Sequence, residues 1–169
     1  MATANTKATA ISNADATPKA FTAAILAGAY IREAVGTVEV AAADDDGSVY
    51  RFARIRSSAR MSEITVFNDA ITAGTSYDVG LYRTAKDGGA VVDADLFASA
   101  LDLSSASAVA GTQALTEATA TNIDKIEKQL WQLLGLSADP MIDYDLCLTG
   151  NTVGTAAGTI SVRARYVIA

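Results

Sequence analysis

The residues of this chain that could do chemistry are carboxylates, arginines and a single thiol. Asp44-Asp45-Asp46-Gly47 resembles the start of a calcium loop. An EF-hand loop needs acidic ligands at alternating positions, Gly at its sixth residue and Glu at its twelfth. Counted from Asp44, the sixth residue is Val49, so the pattern fails. The run reads as an exposed turn, with an adventitious cation site shared between subunits as the alternative. Asp139, Asp143 and Asp145 form a second acidic group, and Asp93 with Asp95 a third. Two carboxylates at a fixed separation, one held protonated, are the equipment of glycoside hydrolysis. Solvation of loops and strand faces accounts for the same residues without any chemistry. Arg51, Arg54, Arg56 and Arg60 are the basic concentration. They read as a solvated strand face or as a patch facing an acidic protein surface, because guanidinium forks pair carboxylates bidentately. Nucleic acid comes third, since the interleaved Tyr50 and Phe52 look inward.

What is missing narrows the field further. The chain has no His, which removes the commonest general base and a principal metal ligand. Gly74, Gly80, Gly88 and Gly89 match neither a phosphate-binding loop nor a dinucleotide fingerprint, and Ser76 lacks the nucleophile elbow. Cys147 stands alone within Leu146-Cys147-Leu148, so no intrachain disulfide exists, and the thiol reads as a small semi-buried residue rather than a reactive one. With 13 Lys and Arg against 19 Asp and Glu, general nucleic-acid binding is disfavoured. No run is long enough to span a membrane. The basic-then-apolar layout of a signal peptide is absent too, so synthesis in the cytoplasm is expected. Carboxylates, Lys, Tyr, Ser and one Cys remain, from which an enzyme could still be built, but no catalytic or cofactor motif is present. Ala, Thr, Gly and Ser dominate and large side chains are sparse, a composition suited to flat, closely packed surfaces.

The elements that must position these residues are strands. Residues 1–20 lack periodicity and are expected to be an extended or disordered arm, either a frayed terminus or one that orders on a partner. Residues 21–169 are expected to form one domain. Phe21 to Ile31 reads as helix or as a first extended segment, and Val35 to Ala42 as a strand. Asp44 to Ser48 then turns the chain, with the Asp-Gly pair a hairpin signal. In Val49 to Arg56 the apolar phase slips after Phe52, so that Ile55 takes the place due to Arg54; one extra residue, a β-bulge, does this. Ile64-Val66 and Tyr77-Val79-Leu81 alternate on either side of a turn-rich connector and read as two strands of one sheet. Lys86-Asp87-Gly88-Gly89 turns again before Ala90 to Phe97, continued by Leu101 and Leu103; Gln113 to Ala120 is ambiguous. One helix is predicted, capped at Thr121 or Asn122, striped by Ile123, Ile126, Leu130, Leu133 and Leu134, and ended by Gly135. Tyr144 to Thr149 and Ile160 to Ile168 are closing strands. Seven or eight strands with one helix predict an all-β, antiparallel β-sandwich, jelly-roll-like first and immunoglobulin-like second.

Two stretches, VGTVEVAAADDDGSVYRFARIRSSARMSEITVFNDAITAGTSYDVGLY and WQLLGLSADPMIDYDLCLTGNTVGTAAGTISVRARYV, resemble the head decoration, or cement, proteins of tailed bacteriophages. The likeness runs from about Val35 to the end and leaves the N-terminal arm uncovered. It implies a jelly-roll-like virion protein, a homotrimer bound to the major capsid protein on the outer surface of an HK97-type capsid. It also implies no enzyme activity, cofactor, nucleic acid or membrane. The alternative is a tail or fibre-tip β domain binding host-surface glycan, which requires an exposed aromatic cluster. A carbohydrate-active enzyme using Asp139, Asp143 and Asp145 is the third reading.

Overall fold

Apolar side chains at every second position need one dry side, and eight segments meet that need as strands. The computed structural model describes residues 6–168; Met1 to Asn5 of the expected arm, and Ala169, lie outside the described residues. In chain order the elements are α1 (Thr9–Asp15), β1 (Ile31–Val40), β2 (Val49–Arg56), β3 (Arg60–Asn68), β4 (Ser76–Arg83), β5 (Val91–Leu101), β6 (Thr112–Gln113), α2 (Ala118–Thr121), α3 (Leu130–Leu133), β7 (Asp143–Thr152) and β8 (Gly158–Val167). One sheet has the order β1-β8-β3-β6 and the other β2-β7-β4-β5. Every pairing is antiparallel. The two halves of the chain pair in reverse order: β1 with β8, β2 with β7, β3 with β6 and β4 with β5. That is a long hairpin rolled up on itself, and it defines a jelly roll.

The tip of the rolled hairpin is the expected Lys86-Asp87-Gly88-Gly89 turn. Gly88 and Gly89 take positive φ there, and Gly89 N donates to Thr84 O at 2.9 Å. The expected bulge in β2 is present: its register against β7 jumps between Arg51 and Ala53, leaving Phe52 as the extra residue. Tyr50, Phe52 and Ile55 are all buried as a result. They meet Ile64 and Val66 of β3, Tyr77, Val79 and Leu81 of β4, Leu146 and Leu148 of β7, and Ile160 and Val162 of β8 in one core between the sheets. Tyr77, wholly buried, donates its hydroxyl to Val153 O at 2.7 Å, so its polar end is satisfied.

Several expectations are corrected. Ile64-Val66 and Tyr77-Val79-Leu81 do not share a sheet: β3 and β4 lie in opposite layers, and the Asp69–Thr75 connector crosses between them. The Asp-Gly turn is likewise no hairpin, because β1 and β2 belong to different sheets. Inward periodicity says which side of a strand is dry, and both layers of a sandwich face the same dry space. Phe21 to Ala29 is neither helix nor strand but a turn-rich segment leading into β1. Within the residues expected to be an arm, Thr9–Asp15 forms a short helix with nothing buried.

The single helix from Thr121 to Leu134 is absent. Two four-residue turns, α2 and α3, stand in its place, and Ile123 and Ile126 of the expected stripe are 89 % and 62 % exposed. Asn122 is extended and its side-chain oxygen takes the Ile123 N–H, a local competitor of the helical ladder. Further on, Leu130 N donates to Ala59 O and Trp131 N to Ser57 O. The β2–β3 corner therefore claims the N–H groups that an incoming helix would use.

The bulge also fixes a glycine. A Cβ added at Gly36 of β1 would sit 2.2 Å from the Phe52 carbonyl oxygen, so β1 crosses the bulge at a distance only a bare backbone permits. Gly36→Ala is expected to cost about 1–3 kcal/mol through overpacking, read in urea as a lower midpoint with unchanged slope.

Candidate interaction surface

Nearly all of the acidic and basic side chains that stand out in the sequence are engaged with partners in the fold. Because of the bulge, Arg51 and Arg54 share the outward face of β2 and converge on Asp145 of β7. Arg51 Nη1 lies 2.9 Å from Asp145 Oδ2, and Arg54 Nε lies 2.9 Å from Oδ1. Arg51 also donates to the carbonyls of Arg83 and Gly89, each at 3.0 Å, and lies over the Tyr82 ring. Asp145 is 6 % exposed, so the pair of guanidiniums forms its lid. The hydrogen bond from Arg54 to Asp145, and then the carboxylate's charge, hold the guanidinium above its already high range. Arg56 pairs with Asp143 at 3.6 Å. Arg60 is elsewhere: it opens β3 in the other sheet and donates to Ile25 O at 3.2 Å. The four arginines are thus three on one strand face and one at the end of the opposite layer.

The acidic groups are dispersed in the same way. Asp139 accepts the Ser57 hydroxyl and Met141 N, while Asp143 and Asp145 serve arginines. Asp44 accepts Ala41 N and the Tyr50 hydroxyl, each at 2.9 Å, and Asp46 accepts Val153 N at 3.0 Å. The triple-Asp turn therefore laces the β1–β2 connection to the β7–β8 connection. Among the described residues no group of three or more His, Cys, Asp or Glu side chains is placed to hold a metal ion. Burial, then the hydrogen bond and charge of Asp95, push the Asp93 carboxyl above its usual value. Cys147 is fully buried, and burial pushes its thiol up to about 12, far from the thiolate form that reacts.

Some surface features were not legible in sequence. The outward face of β8 carries an ion lattice: Arg165 lies 2.8 Å from Glu33 and 3.0 Å from Glu63, and Arg163 lies 3.3 Å from Glu63 and over the Phe67 ring. Ser161, Arg163 and Arg165 alternate with apolar residues along β8 and make this face polar, and their partners come from β1 and β3. At one end of the β1-β8-β3-β6 sheet a shallow groove runs between Leu26 and Ile123, rimmed by Asp124, Glu127 and Lys128. Ile123 reached this surface because the helix that would have buried it does not form. Among the aromatic residues Phe21 and Tyr30 are exposed at 87 % and 89 %, whereas Tyr50, Tyr77, Tyr82 and Tyr144 are buried.

No protein-family model matches the chain, and no curated protein matches it in sequence. Solved structures do resemble it. A chain of the capsid of Ralstonia phage GP4 is 15 % identical with a TM-score of 0.59, the likeness covering 83 % of this chain and 85 % of that one. A chain in the cyanophage Pam1 capsid asymmetric unit is 12 % identical with a TM-score of 0.48, covering 83 % and 86 %. At the first of these levels the course of the chain is shared, and what is shared is the fold.

Two stability tests follow from the ionic geometry. Asp145→Ala leaves Arg51 and Arg54 without their carboxylate and should cost about 2–3 kcal/mol, reduced from a fully buried pair because both arginines reach solvent. Equilibrium denaturation measures it. Asp93→Asn should act the other way. A carboxyl whose folded pKa is raised favours folding when protonated and opposes it once the pH rises through that pKa. The variant should therefore be more stable than the parent at neutral pH, with the gain shrinking as pH falls toward the ordinary 3.8. A gain that persists unchanged in acid would contradict the assignment.

Proposed function

We propose that this chain is a non-enzymatic structural protein of a tailed-phage virion. In this reading it is a decoration protein on the outer surface of an HK97-type capsid, a homotrimer bridging copies of the major capsid protein. The observation that carries the reading is the rolled-hairpin jelly roll, whose course resembles that of a chain from a phage capsid over most of both chains. The surface supports it. Charged groups proposed for chemistry are tied into internal ion pairs and turn hydrogen bonds, which is what a scaffold needs and a catalyst does not. Many weak, geometrically matched contacts repeated over a symmetric shell hold such a protein by avidity. Arg51, Arg54 and Arg56 remain the proposed partner patch: each is ion-paired, Arg51 the most fully engaged, and 34–51 % of each side chain faces solvent. Residues 1–20 are proposed as an arm that orders along the coat, leading into one sandwich domain at 21–169.

The glycan-binding alternative asks for an aromatic cluster on an exposed face; Tyr50, Tyr77 and Tyr144 pack in the core, and Tyr82, on the outward face of β4, is buried beneath Arg51. Quantitative mass spectrometry of purified particles tests the proposal by counting this chain against the major capsid protein. A ratio near unity is expected, and deletion of residues 1–20 is expected to weaken rebinding to stripped particles. A handful of copies per particle would move the protein to the tail, and absence from particles would end the structural reading.

A further inference from the structure

A two-sheet sandwich has four open edges, and three of the edges here are managed. Strand β6 is only two residues long. The register of β2 is broken by its bulge. The β4–β5 pairing slips three times, and the far side of β5 is capped, with Thr116 N and Glu117 N donating to Phe97 O and the Thr119 hydroxyl to Leu96 O. Short length, bulges and covering segments are the usual devices that stop a sheet from adding foreign strands.

Strand β1 has none of them. It is ten residues long, without Pro or Lys and with a single inward-side charge, Arg32, near its start, and pairs with β8 in unbroken register from Ile31↔Val167 to Val40↔Gly158. Among the described residues β1 forms a ladder with no strand except β8, and no backbone hydrogen bond from a turn or loop reaches it. The other side of the strand therefore offers a straight row of free N–H and C=O groups. Its outward side chains are Ile31, Glu33, Val35, Thr37 and Glu39, with Ile31 and Val35 each 63 % exposed.

We infer that β1 is an open edge that accepts an extended segment of another polypeptide, one carrying apolar residues opposite Ile31 and Val35 and Lys or Arg, six residues apart, opposite Glu33 and Glu39. Strand addition supplies affinity through main-chain hydrogen bonds and specificity through the alternate side chains. The charge requirement comes from the outward face itself. Glu33, Glu39 and Glu63 face only Arg163 and Arg165 there, and Glu39 has a hydroxyl, that of Thr159, rather than a cation as its partner. A second copy fits poorly. In antiparallel registers that keep both cores on one side and centre near the middle of β1, Glu33 or Glu39 of one chain falls opposite or diagonal to a glutamate of the other. Like charges so placed are destabilising. The inference rests on the edge alone and is independent of where the protein works.

The test is amide hydrogen exchange on the full chain, with the peptide acetyl-Lys-Ser-Thr-Ser-Val-Ser-Lys-Ser-Val-amide and a counterpart bearing Glu in place of both Lys. Alternate amides of Ile31–Val40 should exchange fast in the free protein and slow when the Lys peptide is added. The Glu peptide should need about tenfold more for the same protection. Glu39→Lys, at an exposed position, should leave the melting temperature unchanged and erase or reverse that preference. Four results would overturn the inference: β1 amides already protected in the free monomer; no slowing at millimolar Lys peptide; equal slowing by both peptides; or protection rising with protein concentration alone, which assigns the edge to a second copy.

Discussion

The carboxylate of Asp145 closes the outer side of the β2-β7-β4-β5 sheet. Strand β7 lies between β2 and β4 and is buried on both faces from Tyr144 to Leu148. A strand in that position cannot alternate freely, since anything on its outward face must be apolar or neutralised. Cys147 meets the demand by being small and inert. Asp145 meets it by binding two guanidiniums, and one of these, Arg51, also ties the Arg83 and Gly89 carbonyls at the hairpin tip. The bulge at Phe52 makes the arrangement possible: without the extra residue, Arg51 and Arg54 would face opposite sides. Core, bulge and ionic lid are one construction.

Much of this was legible in the residues and some of it could not be. A phase slip between Phe52 and Ile55 is a local event, and the bulge it signalled is where expected. The Lys-Asp-Gly-Gly turn and the final alternating strand are equally local. Sheet membership is not local, which is why β3 and β4 were assigned to one sheet and occupy two. The stripe from Ile123 to Leu134 has good helical spacing, and it was overridden by an Asn side chain and by the β2–β3 corner taking its N–H groups. The arginine cluster shows the same division. Three residues on one strand were readable as a face, but their carboxylates come from β7, some ninety positions away, and Arg60 belongs to the opposite layer.

A jelly roll by itself serves capsids, lectins and small-molecule binders alike. The difference lies in what the surface keeps free. Here Asp139, Asp143 and Asp145 are occupied by a hydroxyl, a backbone N–H and arginines, Asp93 and Asp95 are engaged with each other, the thiol is sealed, and what remains available is edge, apolar patch and partly solvated guanidinium. These are the means of one surface meeting another. The acidic turn at Asp44–Asp46, which looked like a cation loop, joins two connections at the same end of the sandwich and so stiffens a rim.

The rolled hairpin has a consequence for how the molecule is made. Strand β7 lies between β2 and β4, and β8 between β1 and β3, so each is synthesised after both of the strands that flank it. The first half of the chain therefore waits with its apolar faces unpaired until the second half arrives. Contacts of such long sequence separation form slowly. A chain made only as far as β6 lacks β7 and β8 and has only the β4–β5 and β3–β6 pairings to draw on. The two-layer sandwich can then close only once β7 and β8 have been made, a form of quality control written into strand order.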